Sequence, residues 1–243
     1  MRVAIVSAFP QEVRAIVRNT GATRKRKECV FDVFHARYSS HDITLILTGM
    51  GSRSAEKALA YVVEKYVPEI ILSAGFGGAL YDGARIGEII VASKVLSLDD
   101  RAADVLELRN GDVIEKLSRN LSVREGSIVT IEKWKQKSEI RKVIAGEFPL
   151  PVCDMETFGI AKLSLEKNLP FFAVRSITDR SDEEVPLDLL NVSDDSGRYS
   201  LRRAIKLLLF KPRLIPGSIK LGIHAHIAGR SLWQAVSCLI DSL

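Results

Sequence analysis

Arg2-Val3-Ala4-Ile5-Val6-Ser7-Ala8-Phe9-Pro10-Gln11-Glu12-Val13 begins with an apolar run suited to a buried strand. It passes at once into a helical pattern carrying Glu12, Val13, Ile16 and Val17. The same alternation continues outward. Residues 30–39 and 43–48 read as two strands joined by the polar turn Ser39-Ser40-His41-Asp42. Residues 54–66 have helical spacing, with Ala55, Leu59, Val62 and Val63 on one face. Residues 69–74 form a buried strand that runs into the glycine-rich loop Gly75-Phe76-Gly77-Gly78. Residues 86–95 and 171–177 are further strands, and residues 157–166 a helix with Ile160, Ala161 and Leu163 to Leu165 toward the core. Strands alternating with helices predict an α/β sheet with helices on both faces. No Pro/Gly/Ser-rich linker and no internal repeat divides the 243 residues, so one domain is expected.

Composition narrows the class. Apolar residues make up 47% and charged residues 27%, which excludes disorder as the dominant state. No run approaches the roughly 18 apolar residues of a membrane span. The start of the chain is too short in its apolar run for a secretory signal. Cys29, Cys153 and Cys238 are scattered, without C-x-x-C spacing, which argues against a disulfide framework and a structural zinc site and favours the reducing cytoplasm. The net charge of +5 gathers in Arg24-Lys25-Arg26-Lys27 and in the stretch from Arg198 to Arg213. No nucleic-acid motif accompanies this charge, so a nucleic-acid partner is not expected.

Ligands of open α/β sheets collect where strands end. Glu12 opens a helix after the first strand, a place where a carboxylate also simply complements the helix dipole. The glycines at 75, 77 and 78 allow close backbone approach, but their spacing is that of neither a dinucleotide fingerprint nor a phosphate loop. Val152-Cys153-Asp154-Met155-Glu156 places two carboxylates around a methionine just before a helix. Asp179 closes the strand Ala173-Val174-Arg175-Ser176-Ile177-Thr178. A carboxylate at a buried strand end must be protonated, paired or hydrogen-bonded, and protonation would make it a general acid.

V-C-D-M-E followed by F-F-A-V-R-S-I-T-D resembles the V-E-M-E and V-R-x-I-S-D signatures of methylthioadenosine/adenosylhomocysteine nucleosidases, within the nucleoside phosphorylase superfamily. A-I-V-S-A-F-P-Q-E-V resembles their opening strand and turn, and the segment from Thr48-Gly49-Met50-Gly51 to Gly78 matches in order and spacing. This resemblance implies a single nucleoside phosphorylase-like domain over residues 1–243. A central mixed, twisted β-sheet would be flanked by helices, with a catalytic core over 1–187 and a helical tail over 188–243. It also implies cleavage of an N-glycosidic bond. Asp179 would protonate the departing purine, and Glu12 would activate water or stabilise the oxocarbenium ion. Met155 and Glu156 would hold the ribose. Trp134 would stack on the base, and Phe76, Gly77, Gly78 and Thr178 would line the pocket. No metal and no organic cofactor is called for.

Two positions depart from the pattern. Where the phosphorylase branch holds phosphate with an arginine and a serine, this chain carries Ser73 and Phe76. That favours water over phosphate as the nucleophile, and Phe76 alters the pocket floor. Beyond Asp188 the chain is similar to hopanoid-associated members of the superfamily, through a D-x-x-G turn and the break Lys211-Pro212-Arg213-Leu214-Ile215-Pro216-Gly217. A basic helix with Leu201, Ile205, Leu208 and Leu209 on its apolar stripe is expected before that break, and a helix over 218–240 after it. His224 and His226 read as surface or packing residues. These features imply an adenosine with a bulky, lipid-linked 5′ group such as adenosylhopane, and association with a membrane surface through residues 199–240. A helix covering the sheet or making a dimer contact accounts equally well for the tail. A homodimer follows from the resemblance alone. The alternatives are a phosphate-dependent nucleoside phosphorylase, a methylthioadenosine/adenosylhomocysteine nucleosidase and, from another class, a nucleoside- or lipid-binding protein without chemistry, against which both Asp179 and Glu12 are retained.

Overall fold

A computed structural model of the protein describes residues 1–24, 30–98, 103–144, 146–184, 211, 213 and 215–243. The expected basic helix, the D-x-x-G turn, Cys29 and most of the basic run at 24–27 lie outside the described residues. The strands are β1 (Arg2–Ser7), β2 (Thr23–Arg24), β3 (Asp32–Tyr38), β4 (His41–Leu47), β5 (Ile70–Ala79), β6 (Ile89–Leu98), β7 (Ala103–Glu107), β8 (Val123–Ile131), β9 (Pro151–Asp154) and β10 (Phe171–Asp179). The helices are α1 (Pro10–Thr20), α2 (Ser52–Tyr66), α3 (Gly111–Asn120), α4 (Lys137–Ile144), α5 (Thr157–Glu166) and α6 (Ile215–Asp241).

All ten strands form one mixed sheet, in the order β10-β6-β8-β9-β5-β1-β4-β3-β2, with β7 beside β6. The β5 strand pairs with β1 and β10 in parallel and with β9 antiparallel. Because β10 also pairs with β6, the strands β5-β10-β6-β8-β9 close into a ring. Helices α1, α3 and α6 cover one face around Val13, Ile16, Leu117, Leu232, Val236 and Leu239. The other face buries Ala55, Leu59 and Val62 of α2 with Ile160 and Ala161 of α5.

Several boundaries differ from the sequence reading. The hairpin turn is only Ser39-Ser40, both at positive φ, because β4 already begins at His41 opposite Tyr38. A two-residue loop with both φ values positive matches the twist of paired strands. The second core strand starts at Ile89 rather than 86, after Gly87 turns the chain at φ 80. Leu165 faces solvent, since α5 buries only the face holding Ile160, Ala161, Leu163 and Ser164. The α6 helix begins at Ile215, with Pro216 and Gly217 inside it, because proline is tolerated in a first helical turn. Its second half is core, with Leu232, Ala235, Val236, Leu239 and Ile240 buried.

Candidate active site

The glycine run is not a loop. Gly75, Gly77 and Gly78 are strand residues, opposite Arg175, Ile177 and Asp179 of β10. Glycine weakens a strand and marks close approach by other groups. Here a Cβ on Gly75 would lie 2.8 Å from Glu12 Oε1, one on Gly77 2.3 Å from Val152 Cγ1, and one on Gly78 2.6 Å from Asp179 Oδ2. Two of the three missing side chains are therefore space that the carboxyl groups of Glu12 and Asp179 occupy.

Glu12 stands in the first turn of α1, and its side chain folds back over the end of β1. Its Oε2 accepts from the backbone N–H of Ala8 at 2.8 Å and Phe9 at 2.9 Å, and its Oε1 from Phe76 N–H at 2.9 Å. Burial raises its pKa above the ordinary 4.5, against the opposing pull of those N–H groups and of the Arg175 guanidinium. A carboxyl group whose pKa is raised in this way takes up a proton more readily than an exposed one, as a general base must. The ring of Phe76 packs on the core cluster that includes α6, with Cζ 3.8 Å from where a Cβ on Gly229 would be.

Glu156 arrives from the β9–α5 junction. Its Oε1 accepts from Gly51 N–H at 2.9 Å and its Oε2 from Met155 N–H at 3.2 Å. Gly51, at φ 101, gives the β4–α2 loop the bend that presents this N–H. Burial raises the Glu156 pKa, and the negative charges of Asp154 and Glu12 add to the effect. Met155 is half-buried against the cluster containing Leu80 and Val129. Beneath the site, Arg175 and Asp154 form a buried pair, with Nη2–Oδ2 at 2.7 Å and Nε–Oδ2 at 3.0 Å. Arg175 Nη2 also donates to Ser73 Oγ at 2.9 Å and to Thr157 Oγ1, while Thr130 Oγ1 donates to Asp154 Oδ1 at 2.7 Å.

Asp179 ends β10, with Oδ1 accepting from Thr178 Oγ1 at 2.7 Å and Oδ2 in an ion pair with Lys137 Nζ. The buried acid expected at this strand end is therefore paired, and its partner is the first residue of α4. Trp134 lies half-buried in the connection between β8 and α4, three residues before Lys137. His224 of α6 meets Thr178 O through Nδ1 at 2.9 Å, which makes it a packing residue beside the site. Reading the sequence missed Lys137 and gave no role to Arg175. A lysine among the lysines of K-W-K-Q-K looks solvated, and its burial depends on a strand 42 residues away.

The model of one protein family, described as the phosphorylase superfamily, matches residues 2–209. The chain belongs to the phosphorylase superfamily. Within that superfamily it is 24% identical, over 227 residues, to a 5'-methylthioadenosine/S-adenosylhomocysteine nucleosidase of Buchnera aphidicola. That match covers 86% of this chain and 97% of the relative. Its structure superposes on the Neisseria meningitidis 5'-methylthioadenosine/S-adenosylhomocysteine nucleosidase, in complex with methylthio-immucillin-A, with a TM-score of 0.72 at 17% identity, covering 100% of this chain and 99% of the other. Superposed on the futalosine hydrolase of Helicobacter pylori, it gives 0.77 at 14% identity, covering 100% and 98%. These superpositions establish the superfamily fold.

Proposed function

We propose that this protein is a purine nucleosidase, hydrolysing the N-glycosidic bond of a 5′-substituted adenosine and releasing adenine. The observation that carries the reading is the pair of buried carboxyl groups along one glycine-hollowed strand, Glu12 beside Gly75 and Asp179 beside Gly78. Cleavage of such a bond needs a proton on the leaving base, charge stabilisation at the sugar and a positioned nucleophile. Asp179 serves the base, Glu12 takes the proton of the attacking water, and Glu156 with Met155 holds the ribose. Trp134 offers a face for the purine, and Phe76, Gly77, Gly78 and Thr178 line the site. The likeness to 5'-methylthioadenosine/S-adenosylhomocysteine nucleosidases supports this reading. Ser73, already bonded by Arg175, stands where a phosphorylase would place a phosphate-binding arginine, which favours water.

The 5′ group is read as bulky and apolar, as in adenosylhopane. Ile219, Ile223 and Ile227 form an exposed ridge on α6, on the helix whose His224 touches Thr178 beside Asp179. A groove of about 870 Å³ along the same helix is lined by Arg14, Arg18, His226, Arg230 and Trp233. An apolar ridge beside cationic side chains suits an anionic membrane surface carrying a lipid-linked substrate. Among the described residues no helix is long and apolar enough to cross a membrane. A homodimer is proposed on the resemblance alone, and sedimentation velocity checks it.

The test is adenine release from methylthioadenosine, adenosylhomocysteine and adenosylhopane, each with and without phosphate. Phosphate-independent release is expected, fastest from adenosylhopane. Asp179→Asn should lower the rate about 10²–10⁴-fold, the range for a lost general acid. Release from none of the three, or an Asp179→Asn rate near wild type, would overturn the assignment.

A further inference from the structure

Lys137 is a buried lysine to which the mechanism above gives no task. Its side chain is 6% exposed, and it spends its three N–H donors at one place. One meets Asp179 Oδ2, one Asp179 O at 3.3 Å and one Arg180 O at 2.5 Å. A single ammonium thus holds both the carboxylate of Asp179 and the two backbone carbonyls that follow its Cα. The lysine is itself seated at the start of α4, where its backbone N–H donates to Glu184 Oε1 at 3.0 Å. Gly78 leaves room for the pair, since a Cβ there would lie 3.0 Å from Lys137 Cε and 2.6 Å from Asp179 Oδ2. Among the described residues, His224 also lies nearby, but its Nδ1 meets the carbonyl of Thr178 at 2.9 Å, not the Asp179 carboxylate, and the other proton-bearing side chains beside Asp179 include Thr178 and Cys153. A threonine hydroxyl gives up no proton in this range, and burial pushes the Cys153 thiol up to about 12.

We propose that Lys137 is the positioning residue of the leaving-group acid, aiming the Asp179 carboxyl and supplying the proton that Asp179 delivers to the purine. This inference rests on the nucleosidase reading. Lys137 Nζ passes one of its protons to Asp179 Oδ2 and keeps the electron pair. As the C–N bond breaks, its electron pair passes to the purine, whose ring nitrogen takes that proton from Asp179, leaving Asp179 again a carboxylate and Lys137 a neutral amine. Water attacks the anomeric carbon and loses a proton to Glu12. Solvent exchange then moves that proton back to Lys137, so one water is consumed per bond cleaved and both acids return to their starting states. The Nζ–H···Oδ2 contact is a charge-assisted bond, the geometry along which such a transfer runs.

The experiment compares two leaving groups in wild type, Lys137→Met and Lys137→Arg. Adenine, in methylthioadenosine, needs a proton to depart. Nitrophenolate, in 4-nitrophenyl 5-methylthio-β-D-riboside, does not. Methionine keeps the length of the chain without a proton, and arginine keeps the charge but does not deprotonate. Both variants should lower kcat for adenine release about 10²-fold while KM and the nitrophenol rate stay within about threefold. A loss shared equally by both substrates in both variants would mean a purely structural lysine and overturn the proposal, as would an unchanged adenine rate. Should one variant not fold, the ratio of the two rates in the other decides. Failure of the nucleosidase reading looks different, because wild type itself would then release no adenine.

Discussion

At the scale of single residues, the site is defined as much by missing side chains as by the acids. Gly78→Ala would place a methyl group 2.6 Å from Asp179 Oδ2, so either the carboxylate or the strand must shift. We expect a stability loss of about 1–3 kcal/mol from overpacking, with a far larger relative loss of kcat; urea melts and adenine assays on one preparation separate the two. Glu12 leads to a pH prediction. A base works only when ionised, and burial holds the Glu12 proton to a pH above 4.5. The acid limb of kcat/KM should therefore have its midpoint above 4.5, falling as pH drops, and the limb should vanish from the residual activity of Glu12→Gln. The acids themselves were legible in the sequence, because Glu12 and Asp179 stand next to strand ends with strong apolar signals. Lys137 and the strand character of Gly75–Gly78 were not. Glycine reads as a loop former, and only a partner strand distant in sequence turns it into a ladder residue.

Elements were legible where one run of residues carries its own period. Residues 2–7, 70–74 and 171–177 are apolar enough to be read as strands in isolation. Strand β8 was missed because Arg124 and Glu125 follow its first residue, Val123, and its apolar run resumes only at Ile128. Strand β9 was seen as a motif, but four residues set no period. Helix α6 changes from exposed to buried along its axis. Leu232 is fully buried on it, whereas Ile223 is 56% exposed. Leu232→Ala should cost about 2–5 kcal/mol in urea unfolding. Ile223→Ser should change stability by less than about 0.5 kcal/mol, as surface changes do. The same Ile223→Ser protein should bind less to vesicles containing anionic lipid, read by co-sedimentation.

For the whole molecule, the carboxyl groups add a slope to stability. Glu156 ionises freely near 4.5 in the unfolded chain but keeps its proton to higher pH in the fold. The folded state thus binds more protons above 4.5, and this group's contribution falls as pH rises from there toward the folded value. The melting temperature of Glu156→Gln, relative to wild type, should therefore climb with pH across that window. Under the site, Arg175 and Asp154 are 4% and 2% exposed in their side chains. Arg175→Met would leave a buried charge without its cation, a loss of about 3–5 kcal/mol in denaturant unfolding. The closure that brings these groups together was invisible in the sequence, since β5 meets β10 across roughly a hundred residues that no local pattern connects. Closure also governs how the protein meets other chains. A strand with neighbours on both sides offers no free row of amides for a foreign strand to copy. Strands β5 and β10 have both rims occupied along the ring, and among the described strands the open rims belong to β2 and β7. Misassembly by edge-to-edge pairing would start there and not on β5 or β10, so the strands that line the candidate site are also those least able to seed an aggregate.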